Sequence, residues 1–142
     1  MAERTVRWYG QVHGIKWLAL RYFNAAGADP EGELGECHDP ETHLIPVLLE
    51  AAMGLRERVK VFGTDYQTPD GTAIRDFIHV MDLAEAHVLA LQYLADGGAE
   101  GAFNLGTGRG HSVQEVLRMI EAVTGFRVRV EAAERRRGDP PV

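Results

Sequence analysis

The chain has 142 residues, of which 45% are hydrophobic and 25% charged, as expected of one soluble globular domain with a buried core. Its net charge of −6 argues against non-specific nucleic-acid binding, and its single cysteine, Cys37, excludes an internal disulfide and favours a reducing, cytoplasmic location. No apolar run is long enough to span a membrane, so neither nucleic acid nor a membrane is expected as a partner.

The first 42 residues predict a helix, a strand and a long loop. Residues 2–13 place apolar side chains on one helical face, and Gly14 follows as a stop. Residues 16–22 read as a buried strand, and residues 24–42 form a loop rich in Gly, Asp, Glu and Pro. Ligands collect where parallel strands end, and this strand delivers three polar side chains there: Arg21, Tyr22 and Asn24. An ordinary strand running into a surface loop is the alternative interpretation.

The middle of the chain alternates between helix and strand. In order, the pattern predicts a helix over 43–55, a strand over 59–62, a turn over 69–71 and a strand over 74–80. Asp82 and Glu85 have the spacing of a capping box, which predicts the start of a third helix at Asp82. The apolar face of that helix comprises Leu83, Ala86, Ala90 and Leu94, and Gly97 and Gly98 end it.

The last 41 residues continue the alternation. A strand is predicted over 102–105, and Ser112 with Glu115 forms a capping box for a helix that Gly125 ends. Its predicted buried face comprises Val113, Val116, Leu117, Ile120 and Val123. A final strand is predicted over 126–130, before a charged, loop-like tail. Because helix and strand alternate throughout, we expect an α/β protein with parallel strand pairing.

Several stretches carry weak signals of chemistry. The glycine-rich segment 106–110 suggests a dinucleotide loop, but His111 stands where the fingerprint needs its third glycine, which favours a tight turn before a helix. Five histidines are candidate metal ligands: His38, His43, His79, His87 and His111. Their positions do not have the spacing of a metal-binding motif, so no metal site is predicted. Cys37 has no activating context, and no Gly-x-Ser-x-Gly elbow is present.

The arginines are better candidates for ligand binding. Arg75 lies between two short apolar stretches, and residues 135–137 are consecutive arginines near Asp139. A guanidinium group binds a diphosphate through paired charge-assisted hydrogen bonds, so two arginines from distant loops could clamp one diphosphate. The alternatives are a salt bridge between Arg75 and Asp76 and a solvated charge run in the tail.

Six motifs together resemble the UDP-glucose 4-epimerase family of the extended short-chain dehydrogenase/reductases. They are Arg-Tyr-Phe-Asn-Ala-Ala-Gly-Ala from Arg21, His-Asp-Pro-Glu-Thr-His-Leu-Ile-Pro from His38, Gly-Thr-Ala-Ile-Arg-Asp-Phe-Ile-His-Val from Gly71, Asp-Leu-Ala from Asp82, Asn-Leu-Gly-Thr-Gly from Asn104, and Arg-Arg-Gly-Asp from Arg136. The first two are specific to 4-epimerases, and the others occur more widely among nucleotide-sugar enzymes. The resemblance covers essentially the whole chain, with the motifs in family order.

The resemblance implies an NAD-dependent isomerase of galactose metabolism that interconverts UDP-glucose and UDP-galactose. The family's NAD loop and its Tyr-x-x-x-Lys pair would precede Met1, so the chain resembles the C-terminal two-fifths of an epimerase. We therefore expect no catalytic residue in this chain, no NAD binding by it alone and no turnover. Two alternative functions remain: a UDP-sugar-binding subunit that completes a separate N-terminal half, and another NAD-dependent nucleotide-sugar epimerase or dehydratase. The alternative partner is a second copy of the chain, in a homodimer.

The resemblance also implies roles for ten residues, transferred position by position. Asn24, Arg75 and Arg136 would bind the diphosphate or the adjoining sugar, and Asp139 would accept hydrogen bonds from the ribose. Val61 and Phe62 would line the uracil pocket. Near the sugar, the family pattern implies four contacts: Tyr22 and Phe23 beside the nicotinamide and hexose, and His43 and Leu44 against the substrate.

The fold implied by the resemblance is discontinuous. Residues 1–24 would give a helix and a strand to a Rossmann-like nucleotide-binding sheet, and residues 73–108 would return to that sheet. Residues 25–72 and 109–142 would form a smaller substrate-binding lobe.

Overall fold

Helices and strands alternate along the chain, which confirms the predicted α/β class. The computed structural model describes residues 1–142 and contains four helices and seven strands. In chain order they are α1 (Ala2–His13), β1 (Leu18–Tyr22), β2 (Asn24–Ala26), α2 (Leu44–Ala52), β3 (Val59–Phe62), β4 (Ile74–His79), α3 (Val80–Ala95), β5 (Gly101–Leu105), β6 (Gly110–Ser112), α4 (Val113–Thr124) and β7 (Val130–Ala133). None of the helices combines the length and apolarity needed to cross a lipid bilayer.

The strands form three small sheets, and parallel pairs predominate. β1 pairs with β5, β2 with β4, and β3 with β7, all in parallel, while β6 pairs antiparallel with β4. Only Phe23 separates β1 from β2, so the chain leaves β5 and joins β4 within one residue. In register, Asn24 lies opposite Phe77, and Arg75 lies opposite His111. This crossing places the start of β2 beside Phe77 and its end beside His79, the last residue of β4.

The main core lies between α2, α4 and the β3–β7 pair. Its six buried residues are Leu48, Ala52, Val59, Leu117, Ile120 and Val128. Leu48 is the largest side chain that is fully buried. The predicted capping box at the start of α4 is confirmed, because Ser112 accepts from the Glu115 amide while Glu115 accepts from the Ser112 amide. A helix whose first turn is satisfied in this way can begin directly at the end of β6.

A second group of elements comprises α1, α3 and the β1–β5 pair, with α3 packed against β1. Gly10 in α1 sits so close to the Trp17 ring that a Cβ there would lie 2.8 Å from it. Glu3 accepts two hydrogen bonds of 2.5 Å from the Arg21 guanidinium, which ties the start of α1 to β1. The predicted apolar face of α1 is not covered, since Val6, Tyr9 and Val12 are between 42% and 54% exposed.

Several predicted boundaries and packing faces are wrong. The loop predicted over 24–42 begins with strand β2, and strand β6 was not predicted. The last strand spans Val130–Ala133 and not 126–130, because residues 126–129 precede the pairing with β3. On α4, Val123 is 78% exposed although the apolar pattern places it on the buried face.

The predicted start of α3 is also wrong. Asp82 lies within its first turn and is not its cap. His79 holds the cap position instead, and its side chain accepts a hydrogen bond of 3.2 Å from the Met81 amide. β4 therefore turns directly into α3, with Val80 already helical and not part of the strand.

Candidate functional site

One large cleft runs between the two groups of elements. Its volume is about 1260 Å³, somewhat larger than the roughly 300–1,000 Å³ of typical small-molecule sites. All ten residues that the sequence analysis assigned to a site line this cleft: Tyr22, Phe23, Asn24, His43, Leu44, Val61, Phe62, Arg75, Arg136 and Asp139. They come from five separate segments of the chain, so the fold collects residues that are distant in sequence.

Arg75 sits in β4 with its guanidinium turned toward the chain's C-terminal tail. It donates to the backbone carbonyls of Ile74 at 2.6 Å and Pro140 at 2.9 Å. A guanidinium has five N–H donors, so these two bonds leave others free for a ligand. Its terminal nitrogen also lies 3.9 Å from Oδ1 of Asp139. Both side chains are partly buried, which reduces the screening of their charges by water.

Arg136 completes a three-residue cluster with Arg75 and Asp139. Its Nε donates to Oδ2 of Asp139 at 2.9 Å, so the one carboxylate faces both guanidinium groups. The Arg136 guanidinium also lies 4.9 Å from the centre of the Phe62 ring, in cation–π geometry. Two positive charges and one negative charge leave this cluster, which we call the arginine clamp, with a net positive charge.

Val61 and Phe62 are neighbours in β3 and play different structural parts. Successive side chains of a strand point to opposite faces, and here Val61 is buried while Phe62 is 37% exposed. Val61 pairs with Ala132 of β7 and packs inward. A flat ligand at this point would therefore meet the Phe62 ring and the backbone, but not the Val61 side chain.

The crossing from β1 to β2 supplies another wall of the cleft. Tyr22 and Phe23 are 49% and 60% exposed, so both rings are accessible at the end of β1. Asn24 is half-buried, and its amide nitrogen donates to the Asp76 carbonyl at 3.0 Å. This bond fixes the Asn24 side chain against β4, next to Arg75.

Asp76 stabilises the glycine-rich loop and forms no salt bridge with Arg75. Its carboxylate accepts hydrogen bonds from the Thr107 hydroxyl at 2.8 Å and from the amides of Thr107 and Gly108 at 3.1 and 3.0 Å. The hydrogen bond from the Thr107 side chain is the main reason that the pKa of Asp76 lies below its usual range. Because the side chain of Asp76 occupies the loop amides, the loop is a tight turn and not a cradle for phosphate.

The loop before α2 gathers four polar side chains, Glu36, His38, Glu41 and His43, which we call the loop cluster. Oε1 of Glu41 accepts from the amides of Thr42 and His43 at 2.7 and 2.8 Å, which satisfies donors at the start of α2. Glu36 contacts the His43 ring, and the hydrogen bond to its carboxylate raises the pKa of His43. Leu44 follows as the first residue of α2.

Sequence reasoning did not identify three contacts at this site. The Glu36 and Glu41 carboxylates lie in a loop without helical or strand periodicity, so no pattern pairs them with histidines. The cation–π contact between Arg136 and Phe62 joins positions 74 residues apart. The hydrogen bonds between Asp76 and Thr107 link the motif that begins at Gly71 to the motif that begins at Asn104, and neither motif indicates the other. For the contacts of Glu36 and Glu41 with the histidines, the only sequence signal is the length and charge of their loop.

Comparisons with known proteins identify relatives of this chain. Residues 1–106 match the model of the NAD dependent epimerase/dehydratase family. Over 97% of its length, the chain is 55% identical to a UDP-glucose 4-epimerase of Halalkalibacterium halodurans, of which it covers 41%. It thus spans about two-fifths of the length of the curated relatives it matches.

Solved structures give the same result. UDP-glucose 4-epimerase from Brucella ovis in complex with NAD is 55% identical, with a TM-score of 0.94 over 99% of this chain and 43% of that one. The enzyme from Bifidobacterium longum in complex with NAD⁺ and UDP is 39% identical, with a TM-score of 0.88 over 96% of this chain and 41% of that one. The family model, the relatives and the shared Rossmann-like fold lead to one conclusion: the chain belongs to the NAD dependent epimerase/dehydratase family.

Proposed function

We propose that this chain forms the UDP-sugar-binding part of a UDP-glucose 4-epimerase, an enzyme that interconverts UDP-glucose and UDP-galactose. The observation that carries the proposal is the arginine clamp, in which Arg75 and Arg136 converge on Asp139 beside an accessible aromatic ring. A doubly charged diphosphate complements two guanidinium groups that share one carboxylate. The relatives that share about half of this sequence carry that enzyme name, which supports the same substrate class.

The clamp and its neighbours match the parts of a uridine diphosphate. The diphosphate would lie between Arg75 and Arg136, with the Asn24 amide at its edge. The uracil ring would stack on Phe62, and the backbone at Val61 would border it. Asp139 would accept hydrogen bonds from the ribose hydroxyls. The two arginines would then donate some of their N–H groups to the phosphates and fewer to Asp139.

The sugar would extend toward the opposite wall of the cleft. His43 and Leu44 border that wall at the start of α2, and Tyr22 and Phe23 border it at the end of β1. In this arrangement residues 1–24 and 73–108 form the nucleotide-binding side, and residues 25–72 and 109–142 form the substrate lobe. The cleft would therefore lie between two lobes, each built from two separate segments of the chain.

NAD does not fit the glycine-rich loop of this chain. The amides that could bind a dinucleotide's phosphates are bonded to Asp76, and a Cβ at Gly106 would lie 2.7 Å from the same carboxylate. Tyr22 and Phe23 would contribute at most a wall beside the nicotinamide. We infer that the task of these residues is to hold the nucleotide sugar.

Calorimetric titration with UDP tests the proposal. Replacing Arg75 with alanine should weaken UDP binding by about 1.5–3 kcal/mol, the usual cost of losing hydrogen bonds to a charged group. Arg75→Lys should restore only part of the affinity, because an ammonium group cannot reproduce the paired geometry of a guanidinium.

Arg127→Ala is the matched control, since that side chain is 92% exposed and lies outside the cleft. It should leave UDP affinity unchanged. Equal UDP affinity in Arg75→Ala and the unmodified chain would overturn the assignment of the clamp to the diphosphate.

A further inference from the structure

The loop cluster brings together four side chains of the kinds that bind metal ions. Two are imidazoles, from His38 and His43, and two are carboxylates, from Glu36 and Glu41. One ligand atom from each residue lies within 4.8 Å of the other three. The four positions follow one another in eight residues of loop, so one short segment supplies the complete set.

Two of the distances between these atoms are close to those of a tetrahedral site. Metal–ligand bonds of about 2.0–2.2 Å to zinc imply ligand atoms about 3.3–3.6 Å apart at the corners of a tetrahedron. His38 Nδ1 lies 3.2 Å from Oε1 of Glu36 and 3.5 Å from Oε2 of Glu41. His43 Nδ1 lies 4.0 Å from Oε1 of Glu41 and contacts Glu36. Around one ion, the His43 ring and the Glu36 carboxylate would move apart, and a single Glu41 oxygen would face both imidazoles.

Glu41 is already oriented for this task. Its side chain is only 6% exposed, which is unusual for a carboxylate in a loop. One oxygen is fixed by the amides of Thr42 and His43, and the other is turned toward His38. Outer hydrogen bonds of this kind orient the carboxylates that coordinate metals.

We propose that the loop cluster binds one divalent transition-metal ion, with Zn²⁺ as its best-fitting occupant. Imidazole nitrogens suit Zn²⁺, whereas Mg²⁺ and Ca²⁺ prefer sites built from oxygen alone. Four protein ligands leave no open position, so the ion would be structural and not catalytic. It would fasten the loop to the start of α2 and thereby hold His43 and Leu44 in the wall of the cleft. This proposal does not depend on UDP binding.

The test is a titration of the chelator-treated full chain with Zn²⁺ alone, without UDP and without a histidine tag. We expect one Zn²⁺ per chain and a visible spectrum typical of four-coordinate geometry when Co²⁺ replaces Zn²⁺. His38→Ala and Glu36→Gln should each weaken Zn²⁺ binding at least about tenfold. The second variant preserves side-chain shape, so it decides the matter if circular dichroism shows that the first does not fold.

Two variants serve as controls. His13→Ala removes an imidazole from α1, and Cys37→Ser removes the exposed thiol beside the cluster. Both should bind Zn²⁺ as the unmodified chain does. The proposal is overturned if Zn²⁺ does not bind, if Cys37→Ser alone abolishes binding, or if His38→Ala and Glu36→Gln bind as tightly as His13→Ala.

Discussion

At the scale of single residues, the arginines of the clamp differ from the other arginines in what they face. Arg58 and Arg127 form ion pairs on the surface, with side chains 55% and 92% exposed, and such pairs contribute little to stability. Arg75 is 22% exposed and Arg136 is 60% exposed, and the two share Asp139 at the wall of the cleft. Arg75, the least exposed of these arginines, is therefore the one whose charge water screens least.

Asp76 gives a prediction about pH. Its lowered pKa means that the bonds to Thr107 and Gly108 favour the charged carboxylate. They contribute stability that is fully present above the ordinary aspartate pKa of about 3.9 and that is lost as pH falls through the lowered value. Asp76→Asn should therefore lower the melting temperature at pH 7, and its difference from the unmodified chain should shrink below about pH 4.

Thermal melting from pH 3 to pH 7, roughly the range over which an aspartate titrates, measures this difference. Asp96→Asn provides the control, because it removes an exposed carboxylate at the end of α3. A constant effect of Asp76→Asn across the whole range would contradict the role of the charged carboxylate in holding the loop.

At the scale of elements, local patterns predicted what local interactions determine. The capping box links Ser112 to Glu115, and the stop at Gly125 bonds back to Glu121, so each signal is local, and α4 begins and ends where they indicate. Gly71 has a φ of 79°, as the predicted turn requires. By contrast, β2 and β6 have three residues each and exist because β4 pairs with both. No local sequence pattern indicates that β4 pairs with these two segments.

The site shows the same division. The motifs around Arg75 and Arg136 named the residues of the clamp, because a family resemblance transfers identities one position at a time. The contact of Arg75 with Asp139 and the Phe62 ring beside Arg136 depend on how distant segments meet. The Arg136–Asp139 bond and the loop cluster join residues that are near in sequence, but they lie in loops without a periodic pattern that would indicate the contacts. Those contacts follow from the fold, so the sequence could not supply them.

Leu48 gives a prediction about the core between α2 and α4. It is the largest fully buried side chain, so its truncation leaves a cavity that the surrounding helices fill only in part. Leu48→Ala should lower the free energy of unfolding by about 2–5 kcal/mol. The measurement is chemical denaturation followed by circular dichroism.

Leu49→Ala is a closely matched control, since it makes the same substitution in the same helix at a residue that is 37% exposed. Its effect should be smaller than that of Leu48→Ala. Equal losses for the two variants would show that α2 does not pack as the structure describes.

At the scale of the whole molecule, apolar surface is abundant and the core is small. Only 16 of the 142 residues are buried. Accessible apolar side chains are concentrated on α1, with Trp8 56% and Val12 54% exposed, and on α3, with Val88 63% and Leu91 70% exposed. Contiguous apolar patches larger than a few hundred Å² on a protein surface mark places where another surface binds.

We therefore expect the purified 142-residue chain to self-associate through these two helices. Val88 and Leu91 are three residues apart and share a face of α3, so replacing both with glutamate should make that face polar. The double variant should shift the chain toward a smaller species in size-exclusion chromatography and analytical ultracentrifugation. Val123→Glu introduces a charge at a residue 78% exposed on α4 and should leave the assembly unchanged. A monodisperse monomer of the unmodified chain, with one sharp cooperative melting transition, would contradict this expectation and show that its exposed apolar faces need no partner.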